Sequence, residues 1–355
     1  MWILKKNKNY IYTLFLFMVF LSITPALPDY YIVILGKYLS LAIVAIGISW
    51  IWGHMNILSL GQGLFFGLGA YAMAMHLKLK ATPSGDLPDF MLWSGLTTLP
   101  WWWQPFSNIV FVFMTIFLIP TLLAVVFSYI MFKREISGVY FALISQAAVA
   151  IFEILLISLQ PYTGGFNGLT NFGPFLIWYI GDNGFQRGLL FITEFIVFSL
   201  ILLSFIVENS RIGKLIRAIR DNENRLKFFG YNTVYFKIIV FAISGTLAGI
   251  GGALFTLFNG SISPSLVGVM ASIEMILWVA LAGRENFLAV VLSVIGINLI
   301  KDKISSYFPN FWLYFIGIAY IVIILVGNNI NELKKLLTRF TKFIYGGKHE
   351  SAFRS

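Results

Sequence analysis

ENSRIGKLIRAIRDNENRLKFFGYNTVYFK, residues 208–237, is a charged, helix-prone island between long apolar segments. It holds seven Lys or Arg and three Asp or Glu in a chain where charge is scarce. Four of its apolar residues recur at the i, i+3, i+4, i+7 spacing of one helix face, while the basic residues lie largely off that face. These four are Ile212, Leu215, Ile216 and Ile219. The island therefore predicts a cytosolic helix that a membrane protein offers to a partner protein.

The rest of the chain is dominated by apolar segments. Of its 355 residues, 59% are hydrophobic and 11% are charged, whereas an ordinary soluble domain carries roughly 25% charged residues. Several windows reach the ~20 apolar residues that cross a hydrocarbon core, and these runs are continuous, which excludes a transmembrane barrel. The sequence predicts an all-α polytopic membrane protein, with residues 1–355 forming a single transmembrane domain.

We expect about ten transmembrane helices. Two of the segments, 38–52 and 287–301, are short enough that re-entrant loops are an alternative to spans. The expected spans are, to within a few residues, about 11–27, 38–52, 57–77, 108–131, 138–159, 187–207, 237–258, 268–283, 287–301 and 311–327.

The basic residues set the predicted orientation. With the N-terminus in the cytoplasm, most of the 25 Lys and Arg fall in cytosolic segments, as the positive-inside rule requires. Both termini are then cytoplasmic, the island 208–237 is a cytosolic loop, and residues 331–355 form a basic cytosolic tail. The apolar run after MWILKKNKNY has no clear cleavage site behind it, so we interpret it as a retained first span. Lys78 to Ser107 becomes an outer loop.

Glycine-rich and irregular segments carry the second set of expectations. Gly63 and Gly67 form a G-x-x-x-G pair, and Gly245 and Gly249 repeat the spacing, which predicts close helix packing. The loop PYTGGFNGLTNFGP, residues 161–174, predicts irregular backbone, which is either a plain extracellular turn or the lining of a cavity. Amide side chains that can pair with a small polar solute are the candidate pathway residues. They are Gln62, Gln146, Asn167 and Asn171.

Several classes of chemistry are not expected. Gly213-Lys214 is followed by Leu215 where a phosphate-binding loop needs Ser or Thr, so ATP hydrolysis is not predicted on this chain. The chain has no cysteine, and its three histidines are too far apart in sequence to indicate a metal site. These are His54, His76 and His349. The net charge of +10 does not indicate a nucleic-acid partner, because it is confined to short loops. No cofactor is predicted either.

Three acidic residues fall within expected spans. Glu153, Glu194 and Glu274 should face the bundle interior or a pathway, because a charged carboxylate in lipid is costly. They leave two interpretations open. One is a proton relay in an ion-coupled secondary transporter or channel, and the other is a set of neutral or hydrogen-bonded structural glutamates.

Several stretches in order resemble the membrane permeases of the branched-chain amino acid ABC transporters, over roughly residues 35–330. They are GHMNILSLGQGLFFGLGAYAM (53–73), GVYFALISQA (138–147), QPYTGGFNGLTNF (160–172), the segment 211–255 that begins RIGKLIRAIRDN, and the Gly283-Arg284 turn after EMILWVALAG. The urea-uptake branch is the most similar, through Gln62, LPDFMLWSGLTTLPWW (87–102) and PYTGGFNGLTNF (161–172).

This resemblance implies a subunit of an ATP-driven importer in a bacterial inner (plasma) membrane. It implies three kinds of partner protein and contact with the lipid membrane. The partner proteins are two cytosolic ABC ATPase subunits, a related second permease and an extracytoplasmic substrate-binding protein. The segment 211–231 would be the coupling helix that docks on an ATPase. The implied ATPase-coupling residues are Arg211, Lys214, Arg217, Ala218, Arg220, Asp221, Glu223 and Gly230. Urea or short amides are the expected substrate, with branched-chain amino acids as the alternative.

Overall fold

The computed structural model of the chain describes residues 2–83, 86–308, 311–312, 314–315 and 317–318, with side chains from residue 13 onward. This described part is helical, with two isolated β-bridges and no strand. The helices are α1 (Trp2–Ile23), α2 (Asp29–Ile48), α3 (Gln62–Ala81), α4 (Asp89–Trp93), α5 (Ile109–Lys133), α6 (Gly138–Ser158), α7 (Gln160–Thr163), α8 (Asn183–Asn209), α9 (Arg211–Phe228), α10 (Thr233–Asn259), α11 (Val269–Ala282) and α12 (Phe287–Tyr307).

Six segments in the described part are long and apolar enough to cross a membrane, which supports the predicted multi-pass helical protein. They are Asp29–His54, Ile109–Lys133, Gly138–Ser158, Asn183–Asn209, Thr233–Asn259 and Pro264–Ala282. The apolar helical segment Thr13–Ala26, which begins within α1, is shorter. Helix α3 has Lys78 and Lys80 in its last turn, and α12 contains Lys301, Asp302 and Lys303. The expected last span, 311–327, lies largely outside the described residues. The count of ten spans and the cytoplasmic position of both termini stay predictions.

Two boundary expectations need correction. A re-entrant segment reverses direction and needs a break, yet 38–52 lies inside the uninterrupted 26-residue helical segment Asp29–His54, and 287–301 lies inside the 21-residue α12. The re-entrant interpretation is therefore wrong for both. Lys78 and Lys80 belong to the last turn of α3 and not to the following loop. Lys78 is buried because its ammonium group pairs with Asp89, 2.8 Å away.

Helix α10 lies at the centre of the bundle and packs against α2, α3 and α5. Its glycines allow this crowding. A Cβ on Gly69 of α3 would lie 2.0 Å from the Gly249 carbonyl oxygen, and one on Gly252 would lie 2.0 Å from the Phe66 carbonyl oxygen. The backbones of α3 and α10 thus touch, as the predicted packing role of the glycines requires. Gly63, by contrast, packs against the segment that leads into α11.

Two irregular segments, 55–61 and 260–268, run inside the bundle. The hydroxyl of Ser145, the eighth residue of α6, accepts a hydrogen bond from the Leu60 N–H at 3.0 Å, so α3 begins part of the way along α6. The Gly63 N–H donates to Ser272 of α11 at 3.0 Å, so α11 also begins within the bundle. Non-helical backbone at membrane depth is tolerated where protein or a water-filled cavity surrounds it. These two helix starts therefore form part of an enclosed region.

Contacts within the chain divide it into two units, residues 1–299 and 300–355. The first unit contains α1 to α11 and the beginning of α12. In the second unit, the Lys301 ammonium group lies 5.8 Å from the centre of the Trp312 ring. The basic tail 331–355 and His349 lie outside the described residues. The expectation of one domain over 1–355 stays a prediction.

Candidate functional site

Helix α9 forms in the island 208–237 because both ends of its first segment are specified locally. The Ser210 hydroxyl caps the helix by accepting from the Gly213 N–H at 3.3 Å, a role that Ser fills well. The helix is kinked at Asn222, whose backbone is non-helical. The Asn222 side-chain oxygen accepts from the Arg225 N–H at 3.1 Å and so starts a second short helical segment. The predicted coupling helix is therefore two segments with a bend.

The apolar face of α9 is only partly free. Ile216 and Ile219 are 2% and 4% exposed, because α9 packs against α8, α10 and the helical turn Ser49–His54 that continues α2. We call this turn the end of α2. The expectation that this whole face is available to a partner is wrong for these two residues. The apolar surface that remains free is at Ile212 and at the end of the helix, where Phe228 and Phe229 are 92% and 78% exposed. Phe228 and Phe229 are not part of the i, i+3, i+4, i+7 pattern of the island, so the sequence analysis did not identify them as site residues.

Two arginines of α9 turn towards the rest of the protein. The Arg217 guanidinium donates to the Glu208 carbonyl at 2.7 Å and to its carboxylate at 3.4 Å. The Arg220 guanidinium donates to the Gly53 carbonyl at 3.0 Å and to the Glu285 carboxylate at 2.6 Å. Arg220 thus links α9 to the end of α2 and to the turn between α11 and α12. Glu208, Gly53 and Glu285 were not among the predicted site residues.

The second segment of α9 is tied to α10. The Glu223 carboxylate accepts from the Thr233 hydroxyl at 2.8 Å and from the Lys237 ammonium group at 2.5 Å. Burial alone would raise the pKa of Glu223, but these hydrogen bonds and the nearby positive charges outweigh it, so its pKa lies below the ordinary value. The Lys227 ammonium group donates to Glu135 at 3.0 Å. That hydrogen bond raises the pKa of Lys227.

The remaining predicted coupling residues are placed differently. Arg211, Lys214 and Asp221 are exposed, and Ala218 is half-buried. Gly230 has a φ of 83°, a left-handed conformation that favours glycine and ends the segment before α10. The structure therefore divides the predicted set into residues that anchor α9 to its own chain and residues that remain accessible.

The Gly283-Arg284 turn lies against the end of α2. The Arg284 carbonyl accepts from the Ser49 hydroxyl at 2.5 Å, and its guanidinium lies 4.6 Å from the centre of the Trp52 ring. A Cβ on Gly53 would lie 2.2 Å from the Arg284 carbonyl oxygen, so the two backbones are in contact. A displacement of α9 would therefore move the end of α2 and the α11–α12 turn together, because Arg220 bonds to both.

The four candidate pathway residues form two groups. Gln62, at the start of α3, is fully buried, and both of its amide atoms lack a hydrogen-bond partner among the described residues. Gln146 is half-buried on α6, next to Ser145, which bonds to Leu60. The unpaired, buried amide of Gln62 costs free energy unless a bound molecule pairs with it.

The second group is at the other end of α3. Asn167 and Asn171 line an open cavity of about 150 Å³ whose wall also contains Lys78, Asp89, Phe90, Trp93 and Gln160. The Lys78 ammonium group donates to Asp89 and, at 2.8 Å, to the Thr170 carbonyl. The charges in the wall therefore neutralise each other. Gln62 and Lys78 are separated by 16 helical residues, or roughly 24 Å at 1.5 Å per residue, so the two groups do not converge.

The three intramembrane acids differ in their surroundings. Glu194 is buried and accepts a hydrogen bond from the Thr24 hydroxyl at 2.6 Å. Glu153 is half-buried on α6 and accepts from the Val269 N–H at 3.1 Å. Glu274 is half-buried on α11. The Thr24 bond favours a structural role for Glu194. No group of His, Cys, Asp and Glu that could hold a metal ion occurs in the described part of the chain.

The described part of the chain is thus a bundle of apolar helices with one charged, kinked helix anchored on it, and sequence comparison shows which class of membrane protein this is. The model of the family described as "Branched-chain amino acid transport system / permease component" matches residues 30–327. The chain belongs to this family of ABC transporter permeases. A permease component is a non-enzymatic membrane subunit, and ATP hydrolysis occurs on a separate subunit.

Individual relatives carry the same description. The chain is 27% identical over 290 residues to the "Probable branched-chain amino acid transport permease protein LivM" of Methanocaldococcus jannaschii, covering 80% of this chain and 76% of that one. It is 23% identical over 289 residues to the "High-affinity branched-chain amino acid transport system permease protein LivM" of Escherichia coli, covering 75% of this chain and 61% of that one. No solved structure matches significantly.

Proposed function

We propose that this chain is a pore-forming permease of an ATP-driven ABC importer in a bacterial inner (plasma) membrane. Two cytosolic ATPases, a related second permease and an extracytoplasmic substrate-binding protein complete the importer. The observation that carries the proposal is the exposed Phe228–Phe229 pair at the end of a helix that Arg220 joins to α2 and to the α11–α12 turn. Paired aromatic side chains are typical anchors of protein interfaces.

In this proposal α9 transmits the ATPase cycle to the bundle. The ATPase holds the accessible part of α9, while Arg217, Arg220 and Glu223 hold its inner side to the permease. A displacement of α9 moves the end of α2, which in turn alternates the access of the pathway. Two of the basic residues that remain exposed, Arg211 and Lys214, add charge complementarity to the docking surface.

The substrate we propose is urea or a short amide. The outer cavity offers amide groups from Asn167, Asn171 and Gln160, and the charges in its wall, Lys78 and Asp89, are already paired. Such a surface suits a neutral solute rich in hydrogen-bonding groups. Branched-chain amino acids are the second candidate, because the printed names of the relatives specify them. Competition between labelled urea and leucine for uptake by the assembled transporter distinguishes the two.

Co-purification tests the coupling role. We expect wild-type chain, isolated gently from its native host, to bring down two ATPases and a second permease. Replacing Phe228 and Phe229 with alanine should cost about 2 kcal/mol or more of ATPase binding, with the fold unchanged because both side chains are exposed. Tyr30→Ala, an exposed aromatic change at the far end of α2, is the matched control.

Two results would contradict the proposal. One is unchanged ATPase recovery by the double variant. The other is uptake by the chain alone that a protonophore abolishes and ATP depletion does not affect, which would favour an ion-coupled carrier.

A further inference from the structure

Three polar residues recur every seven positions along α6 and into α7. Gln146 and Glu153 are half-buried on α6, and Gln160 is exposed at the first position of α7. Seven residues make about two helical turns, so Gln146 and Glu153 lie on the same side of the helix, roughly 10 Å apart. We call these three residues the α6 stripe.

The stripe lies at the boundary of two other surfaces. On one side is the buried face of α6, with Ser145 and Val149 packed into the bundle. On the other side is an exposed apolar face that includes Leu143 and Ile154. Amide and carboxylate groups directed at lipid are costly, and such residues usually face a water-filled cavity or a bundle interior. The stripe therefore marks the side of α6 that is turned away from lipid.

Both ends of the stripe reach the two groups of amides described above. At the outer end, Gln160 lines the cavity that Asn167 and Asn171 also line. At the inner end, Gln146 follows Ser145, which bonds to Leu60 two residues before Gln62. The stripe covers 14 residues, or roughly 21 Å at 1.5 Å per residue, which is close to the roughly 24 Å along α3 that separates the groups.

The middle of the stripe meets the start of α11. One carboxylate oxygen of Glu153 accepts from the Val269 N–H, and a Cβ on Gly268 would lie within 2.5 Å of all three carboxyl atoms. The backbone before α11 is thus fitted closely around this carboxyl group. The backbone at the start of α11 therefore holds the Glu153 side chain at the edge of the exposed face of α6.

We propose that the α6 stripe lines the solute path between the outer cavity and Gln62, and that its ligand is a small neutral amide. This inference rests on the proposed function and extends its site to Glu153 and Gln160. The Glu153 carboxyl group accepts hydrogen bonds from N–H groups of the solute, while the two glutamines both donate and accept.

The absence of cysteine from the chain makes the path directly testable. Single variants Gln146→Cys, Glu153→Cys and Gln160→Cys, with Leu143→Cys and Ile154→Cys as controls on the apolar face of the same helix, are assembled with both ATPases and the second permease in vesicles. A charged methanethiosulfonate reagent is then added outside. Labelling rates are measured alone, with urea, and with leucine, and ATP-driven uptake is measured in the same vesicles.

We expect the three stripe cysteines to react at least about tenfold faster than the controls, because a thiol in apolar surroundings has a raised pKa and each unit changes the thiolate fraction tenfold. Urea should slow labelling at Gln146→Cys and Glu153→Cys. Equal rates at stripe and control positions in vesicles that take up solute would overturn the path and leave the importer intact. Failure of the wild-type assembly to couple uptake to ATP would instead overturn the proposed function.

Two further results complete the test. Protection by leucine but not by urea would overturn the ligand class. If one of the two half-buried variants, Gln146→Cys or Glu153→Cys, does not assemble with the ATPases, the other still decides between a polar path and a lipid-facing surface, because both lie within α6.

Discussion

The crossing of α3 with α10 and the junction around α9 hold their helices together by different means. At the crossing, the Gly69 and Gly249 backbones are in contact, and large side chains such as Phe65 and Phe241 fill the surroundings. At the junction, hydrogen bonds and ion pairs connect the elements: Arg220 pairs with the exposed Glu285, and Glu223 pairs with the buried Lys237. The first is a steric contact and the second is electrostatic.

This difference indicates which region can move. Close-packed backbones tolerate almost no displacement, because interiors are packed to the density of organic crystals. An ion pair with an exposed partner, such as that of Arg220 with Glu285, contributes only about 0–1 kcal/mol and can exchange partners. The junction can therefore shift during a transport cycle while the crossing stays fixed. The predictions below separate the two regions by the size of the effect.

The largest effect is expected at the crossing. Gly69→Ala puts a methyl group about 2.0 Å from the Gly249 carbonyl oxygen, so the helices must separate, at a cost of about 1–3 kcal/mol. Gly188→Ala, in α8 with open space around it, should be neutral or stabilising, since alanine favours helix by about 1 kcal/mol over glycine. Thermal unfolding in detergent measures both. Equal melting temperatures would show that the crossing is not tightly packed.

An intermediate effect is expected at the junction. Arg220→Ala removes the bonds to Gly53 and Glu285, which should change global stability by no more than about 1 kcal/mol. Amide exchange in residues 211–228 should nevertheless become faster, and ATP-driven uptake should fall, because α9 is no longer joined to α2.

The matched control at the junction is Arg225→Ala, an exposed residue of the same helix. Its exchange pattern should remain that of the wild type. If Arg220→Ala lowered the melting temperature as much as Gly69→Ala, the junction would be a structural core rather than a movable link.

The sequence predicted the class of fold well and the local contacts only in part. Long apolar runs and the i, i+3, i+4, i+7 pattern identify helices, because they depend on residues close together in the chain. The burial of Ile216 and Ile219 was missed, since an amphipathic pattern shows that a face will be covered but not by what. Here the covering surface comes from the protein itself.

The partners of the site residues were also invisible in the sequence. Arg220 and Glu285 are 65 residues apart. Lys78 pairs with Asp89 from the last turn of α3, although the sequence placed Lys78 in the loop that follows. The glycines illustrate the same limit. Their spacing predicted close approach, but only the structure shows that Gly63 contacts the lead into α11 while Gly69 contacts α10. Long-range pairing depends on how helices cross, which no local pattern records.

The smallest effect is expected from the titration of Glu223. Its pKa is lowered in the folded protein from the ordinary value of 4.5, so folding favours the ionised carboxylate, and its contribution is present above that ordinary value. The contribution is lost as the pH falls through the lowered pKa. The melting temperature of wild type should therefore exceed that of Glu223→Gln near pH 6, and the gap should close on acidification below pH 4.5. A gap that widens in acid would mean that the Lys237 and Thr233 bonds do not favour the ionised form.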